Sequence, residues 1–320
     1  MKNPSILKIG IIESKDFCSR AQNHLETIGE VSFYNPSSNN LDSFIQDKEV
    51  IFVRLGYLFN EKLLRNAKKL KYICSPTTGL NHIDLDYVKK REIRIISLKG
   101  EVDFLDKITA TSEHTVGLLI SLLRYYKKIF NKKNIGPTER DTVKGYEINS
   151  SKIGIIGLGR IGTHLVNYFR AFGASVFYYD KDDSKEHPHA TRYNSIQSLV
   201  ESSDVIILSA SYSQENIKMI DKKIIDKMKG KFFINISRGE LIDEDYLLHC
   251  VRNDIFLGVA IDVFSNEQSI YSKKDEITQL NSLDLNFIYT PHIGGATLSS
   301  MKKTEYYISK KLESTIDGVI

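Results

Sequence analysis

Three glycines, three carboxylates, an arginine and a histidine are the groups in this sequence that could do chemistry. Gly157, Gly159 and Gly162 follow the apolar run Lys152–Ile156 and open an amphipathic stretch that begins with Arg160 and Ile161. A strand, a G-x-G-x-x-G turn and a helix, in that order, form a cradle for a pyrophosphate. The first glycine permits the tight turn, the second lets the backbone approach the anion, and the third lets the helix pack closely on the strand. The first amides of the helix attract the negative charge. A second strand-like run, Ser175–Tyr179, ends in Asp180. It lies about 20 residues beyond the turn, where a carboxylate accepts hydrogen bonds from the adenosine ribose hydroxyls. The same charge repels a 2′-phosphate, so the expected dinucleotide is NAD and not NADP.

Three later segments each end a strand: Asn235–Glu244 with Arg238, Gly258–Glu267 with Asp262 and Glu267, and Thr290–Thr297 with His292. Sites in open α/β sheets lie outside the carboxyl ends of the strands, so these groups are expected to converge on one crevice. With these residues in this order, the sequence resembles the D-isomer-specific 2-hydroxyacid dehydrogenases over nearly its whole length. That family includes phosphoglycerate dehydrogenase, glyoxylate and hydroxypyruvate reductases, and formate dehydrogenase.

The resemblance implies a role for each residue. Arg238 matches the arginine that holds the substrate carboxylate and polarises its 2-oxo group, a bidentate task suited to a planar, permanently charged fork. His292 matches the general acid/base, because imidazole exchanges a proton near working pH. Glu267 matches its partner, orienting the ring and stabilising the cation. Asp262 matches the position facing the nicotinamide carboxamide. Upstream, Ser75–Asp84 resembles the substrate loop, with the amides of Thr78 and Gly79 on the carboxylate, and Asn81 stands where many relatives have aspartate. Arg54 matches an arginine that approaches the substrate in phosphoglycerate dehydrogenases, and Thr109–Val116 resembles the start of the interdomain helix. Gln268 replaces a proline that usually follows the glutamate, and the chain between Glu267 and His292 is longer than is typical, which implies an enlarged surface loop.

The elements that must position these groups alternate between short β-branched runs and longer amphipathic stretches, the pattern of βαβ units. Ile6–Ile12, Val50–Arg54, Lys71–Ser75 and Arg94–Ser97 read as strands of a first block, with helices near Phe17–Ile28, Leu41–Gln46, Glu61–Ala67 and Leu85–Lys90. Lys152–Ile156, Ser175–Tyr179, Val205–Leu208, Phe232–Ile236, Leu257–Ile261 and Phe287–Tyr289 read as strands of a second, the number that two mononucleotide-binding halves need. Between the blocks, Asp103–Phe130 reads as one long buried helix with Thr115, Leu118, Leu119, Leu122 and Leu123 on a stripe. The tail Leu298–Ile316 reads as a helix with Ile308, Leu312 and Ile316 on one stripe, of the kind that packs back on the first block, while the charges of Lys302–Lys311 read as a solvated face. The expected architecture is therefore α/β, with two Rossmann-like domains of doubly wound parallel sheet and a cleft between them, the first flavodoxin-like. Residues 1–102 plus 297–320 form the substrate domain and 103–296 the NAD-binding domain.

Composition narrows the partners. The 320 residues, 41% hydrophobic and 26% charged with only 6 prolines, describe a folded chain and not a disordered one. The 44 basic and 40 acidic residues are interspersed, without the dense basic face that nucleic acid requires. Three scattered cysteines form no metal-ligand cluster and fit a reducing compartment. No run approaches the roughly 20 apolar residues of a membrane span, so a cytoplasmic location is expected. The expected partners are a small 2-oxo or 2-hydroxy acid, NAD and a second copy of the chain, the homodimer forming through the cofactor domain and its Lys127–Ser151 arm. The substrate stays open between 3-phosphoglycerate, towards which Arg54 leans, and glyoxylate or hydroxypyruvate. An NAD(H)-sensing interaction protein of the corepressor type is the alternative on the same fold.

Overall fold

The computed structural model describes residues 7–38, 40–132, 136–141, 143–265 and 274–318. Contacts divide the chain into two compact units, Met1–Ile108 with Ala296–Ile320, and Thr109–Gly295.

The first unit holds a parallel sheet of β1 (Leu7–Ile11), β2 (Gly29–Phe33), β3 (Val50–Phe52), β4 (Tyr72–Ser75) and β5 (Arg94–Ser97) in the order β2-β1-β3-β4-β5. This is the flavodoxin-like order, in which the winding direction reverses between β1 and β3. Successive residues of β3 and its extension alternate between two apolar layers. Ile51 and Val53 join Ile45, Phe59 and Ile73 on one face, and Val50 and Phe52 join Ile9, Leu25 and Ile96 on the other. The second layer is completed from the far end of the chain, because the Leu298–Ile316 helix places Ile308 and Leu312 fully buried within it. Leu312→Ala is therefore expected to destabilise this unit by about 2–5 kcal/mol, the range for a buried leucine truncated in a packed core. Urea unfolding measures it, and a change within about 0.5 kcal/mol, typical of a surface site, would contradict the packing.

The second unit holds β6 (Lys152–Ile156), β7 (Ser175–Tyr179), β8 (Thr191–Arg192), β9 (Val205–Leu208), β10 (Phe232–Asn235), β11 (Gly258–Ile261) and β12 (Phe287–Tyr289). All pair in parallel in the order β12-β11-β10-β9-β6-β7-β8, the doubly wound arrangement with its switch point beside β6. Near-continuous apolar strands such as Val205–Leu208 are buried throughout, as a sheet covered on both faces requires.

Three expectations change. The stretch Asp103–Phe130 is not one helix but three, Val102–Leu105, Ala110–Leu123 and Tyr126–Phe130. Leu105 is buried in the core of the first unit, whereas Leu118, Leu119, Leu122 and Leu123 are buried in the core of the second, so the chain must break between them. A second break follows Arg124, where Tyr125 takes a left-handed backbone, φ 52°. Two strands, β2 and β8, were not anticipated; β8 has two residues, too short to show a period. The Lys302–Lys311 span is not a wholly solvated face, because Glu305 within it is only 1% exposed. Ile6, expected to begin β1, lies outside the described residues.

Candidate active site

The glycine turn after β6 is shaped by contacts that leave no room for side chains. Gly157 has φ +99°, and a Cβ on it would lie 2.6 Å from the Ala210 Cα. A Cβ on Gly162 would lie 2.2 Å from the Gly157 carbonyl oxygen, the closeness that lets the Arg160–Ala171 helix start directly above the turn. Gly159, by contrast, has nothing within 4 Å of its Cβ position, so the backbone there is open to a ligand. Arg160, Ile161 and Gly162 form the first turn of the helix, whose amides face outward from a glycine N-cap with no side-chain cap. Asp180, at the end of β7, accepts from the Leu158 amide at 2.7 Å and, through its other oxygen, from the Asp182 amide at 2.9 Å. It is thus a built part of the turn and not a solvated loop charge. Arg192 of β8 ties this loop down by donating to the carbonyls of Asp180, at 2.8 Å, and Lys185, at 2.9 Å. A cradle of backbone amides beside a fixed carboxylate suits a dinucleotide.

Arg238, Asp262 and His292 follow β10, β11 and β12, three neighbouring strands of one sheet. Asn235, fully buried at the end of β10, folds the chain into the arginine turn by accepting from the Ser237 amide at 2.9 Å and donating to the Arg238 carbonyl at 3.1 Å. The half-buried Arg238 side chain donates to the Ser237 carbonyl at 2.6 Å. Beyond β11, Glu244 accepts from both the amide and the hydroxyl of Ser265, at 2.7 and 3.0 Å, and so fixes the chain as it enters the 266–273 segment. Glu267 and Gln268, in that segment, lie outside the described residues.

His292 has a left-handed backbone, φ 52°, which costs a non-glycine residue about 1–2 kcal/mol and must be held by its surroundings. Asp262 does the holding. Its carbonyl accepts from the His292 amide at 2.8 Å, and its carboxylate accepts from the amides of Ile293 and Gly294, each at 2.9 Å. The Thr290 hydroxyl donates to the same carboxylate at 2.6 Å, and His114 Nε2 lies 3.1 Å from that hydroxyl and 3.4 Å from Asp262 Oδ1. Burial to 2% exposure would by itself raise the Asp262 pKa, but the hydrogen bonds from His114, Thr290, Gly294 and Ile293 together outweigh it and lower the value. A carboxylate whose pKa falls on folding contributes stability above its unfolded pKa of about 3.9, and that contribution disappears as pH drops through the lower folded value. Asp262→Asn is accordingly expected to destabilise the protein at neutral pH and to differ less and less from the parent as pH falls below about 4. Unfolding free energies from pH 7 to pH 3 test this, and a pH-independent difference would remove the carboxylate from the account.

In the first unit, the expected substrate residues also follow neighbouring strands, Arg54 after β3 and Thr78 and Gly79 after β4. The loop is braced by Thr77, whose hydroxyl donates to the Gly79 carbonyl at 2.8 Å, and by the contact of Ser75 Oγ, 2.8 Å from that hydroxyl, with buried His82 at 3.3 Å. The amides of Thr78 and Gly79 donate to no acceptor among the described residues. Arg54 is differently placed: its Nε donates to Glu305 Oε1 at 2.9 Å, its Nη2 to the same oxygen, and its Nη1 to the Lys15 carbonyl at 3.1 Å.

The family model described as D-isomer specific 2-hydroxyacid dehydrogenase, NAD binding domain, matches residues 116–294. The chain belongs to the D-isomer-specific 2-hydroxyacid dehydrogenases. An aromatic 2-oxoacid reductase of Clostridium sporogenes is 30% identical over 246 residues, 73% of each chain. A glyoxylate/hydroxypyruvate reductase of Arabidopsis thaliana is 30% identical over 276 residues, 83% of this chain and 80% of that one. The crystal structure of a D-lactate dehydrogenase from Aquifex aeolicus, complexed with NAD and lactic acid, is similar with a TM-score of 0.77 at 27% identity, covering 97% of this chain and 96% of that one.

As a member of the D-2-hydroxyacid dehydrogenase family the protein is an NAD-dependent oxidoreductase, and the sheet that carries the glycine turn is its NAD-binding domain. Among the described residues no helix is long and apolar enough to cross a membrane. Sequence reasoning missed Thr290, Arg192, Glu244 and Glu305, each of which acts by holding another group. Thr290 and Glu244 lie within the motif segments, where their only signal is a polar side chain, while Arg192 and Glu305 carry no local signal because the fold brings their partners to them.

Proposed function

We propose that the enzyme interconverts a 2-oxo acid and the corresponding D-2-hydroxy acid, with His292 moving the proton and Arg238 holding the substrate carboxylate. The observation that carries this reading is the arrival of Arg238, Asp262 and His292 at the carboxyl ends of three adjacent strands in the sheet that also bears the glycine turn. Bound NADH supplies the hydride. Arg238 would take the substrate carboxylate in a two-point grip and draw electron density from the 2-oxo group. His292 would donate a proton to the carbonyl oxygen in reduction and withdraw it in oxidation. Glu267 would bear on the other ring nitrogen and stabilise the imidazolium. Asp262 would meet the carboxamide of the nicotinamide while it holds the His292 turn. Within the first unit, the Thr78 and Gly79 amides would offer donors to a carboxylate.

Gly157, Gly159, Arg160, Ile161 and Gly162 would cradle the pyrophosphate, and Asp180 would bind the ribose. Replacing Asp180 with alanine removes charge-assisted hydrogen bonds of about 1.5–3 kcal/mol. NADH should then bind roughly tenfold to a hundredfold more weakly, and the preference over NADPH should narrow. Fluorescence titration with both cofactors measures this, and an unaltered ratio of affinities would sink the ribose role.

NADH oxidation followed by absorbance against glyoxylate, hydroxypyruvate, pyruvate and phenylpyruvate tests the reaction itself. Turnover with at least one acid, giving the D product, is expected. NADH binding without turnover on any of them would move the assignment to cofactor sensing. A homodimer through the NAD-binding domain belongs to the same reading, supported by the exposed aromatic residues Tyr126, Phe130 and Tyr146 near the arm. A monomeric mass in solution would reject it.

A further inference from the structure

Within the second unit, the Ala110–Leu123 helix runs alongside β12 and is bonded near both of its ends. Asn286, just before the strand, donates from its side-chain amide to the Leu122 carbonyl at 3.0 Å. Thr290, just after it, has its hydroxyl 3.1 Å from His114 Nε2. The helix rises about 12 Å from His114 to Leu122, and the strand advances about 13 Å from Asn286 to Thr290. These lengths match, so the register that buries Leu118, Leu119 and Leu122 also delivers His114 to the turn after β12. Gly294 lets that turn close against the helix, since a Cβ there would lie 2.9 Å from Asp262 Oδ2 and 3.3 Å from Thr111 Cγ2.

The direction of the hydrogen bonds at this end follows from the protons available. Burial works to raise the Asp262 pKa, but the hydrogen bonds to the carboxylate outweigh it and lower the value, so at neutral pH the group is ionised and only accepts. The Thr290 hydroxyl has one proton, which it gives to Asp262 Oδ1 at 2.6 Å. Its oxygen is left to accept, so His114 must present Nε2–H to it. His114, Thr290 and Asp262 thus form a chain of donors that ends on Oδ1, and that oxygen also accepts from the Ile293 amide at 2.9 Å. Oδ2 accepts from the Gly294 amide at 2.9 Å, its one donor among the described residues, and keeps a lone pair for another.

We infer that His114 and Thr290 are positioning residues for the cofactor, locking Asp262 Oδ1 so that Oδ2 is offered to the amino group of the nicotinamide carboxamide. The inference rests on the contact between Asp262 and that carboxamide proposed above, and it adds two residues that act only through the carboxylate. The terminal torsion of an aspartate is broad, so a carboxylate without this brace would spread its acceptors over many directions and hold the amide less well. With the brace, the site selects a cofactor ring that carries an amide donor.

Isothermal titration of the full chain with NAD and with 3-acetylpyridine adenine dinucleotide tests this, because the analogue has a methyl ketone in place of the amide and no N–H to give. The parent should bind NAD about tenfold more tightly than the analogue, the scale of one hydrogen bond to a charged group. Thr290→Val keeps the shape and loses the hydroxyl, and His114→Leu loses the donor; each should lower that ratio by about threefold or more. Thr290→Ser and His114→Gln keep a hydroxyl and an N–H donor, and should hold the parent's ratio. The ratio is read within one protein, and thermal midpoints report folding separately. Equal binding of the two dinucleotides by the parent overturns the carboxamide contact and the positioning role with it. A parent preference that neither Thr290→Val nor His114→Leu moves, or that Thr290→Ser and His114→Gln lower as far, overturns the positioning role and leaves the carboxamide contact standing.

Discussion

Replacing His292 with alanine is expected to lower turnover in both directions by about two to four orders of magnitude, the usual contribution of a positioned general acid/base. NADH affinity should survive, because the proposed cofactor groups, the glycine turn after β6 and Asp180 after β7, bond to each other and not to the β12 turn. The backbone at residue 292 is left-handed, and the bonds to Asp262 made by the amides of residues 292, 293 and 294 do not involve the imidazole. The alanine variant should therefore keep the turn and lose the proton carrier alone. Single-turnover mixing of enzyme, NADH and substrate separates the two, since a loss confined to the chemical step leaves the binding phase unchanged. Undiminished turnover would refute the role of His292.

Arg238→Ala is expected to lower kcat/KM for the 2-oxo acid by about 2–5 kcal/mol of transition-state binding, the cost of truncating one partner of a desolvated ion pair. That corresponds to roughly thirtyfold to several-thousandfold. Arg238→Lys should recover a part of it, because the lysine keeps a charge but not the planar two-point fork. The buried Asn235 amide shapes this turn through the Ser237 amide and the Arg238 carbonyl, both main-chain groups, so neither substitution should disturb the fold. Steady-state kinetics with saturating NADH, beside a direct measurement of NADH affinity, tests the claim. A loss of cofactor binding equal to the loss in kcat/KM would move Arg238 out of the substrate's grip.

The features legible in the sequence were those whose cause is local. The glycine turn announced itself because a strand, its tight turn and a helix are contiguous, and the Gly162 contact is made within the turn, whereas Gly157 is pressed by Ala210, which follows β9. The six longer strands of the second unit were readable because buried parallel strands are continuous apolar runs. The tail helix Leu298–Ile316 had the expected bounds, since its apolar stripe has a helical period and Thr297 caps it by accepting from the Ser300 amide. The β2 strand was missed because its GEVSF sequence lies at the edge of the sheet with no fully buried position. Asp103–Phe130 was read as one helix because helical period carries no record of which core each turn serves.

Residue types and their order determined that this chain would form two parallel-sheet units, that one would bind a dinucleotide, and that Arg238 and His292 would stand at strand ends. Those are properties of short windows, where backbone sterics, period and turn chemistry act within a few residues. Tertiary structure decided what the charged groups meet. Asp262 acquired Thr290, Ile293, Gly294 and His114 as partners, and Arg54 acquired Glu305, which is 251 residues away. A carboxylate in sequence reads as solvated. It becomes an anchor only when distant elements fold over it, exclude water and leave specific donors within hydrogen-bonding reach.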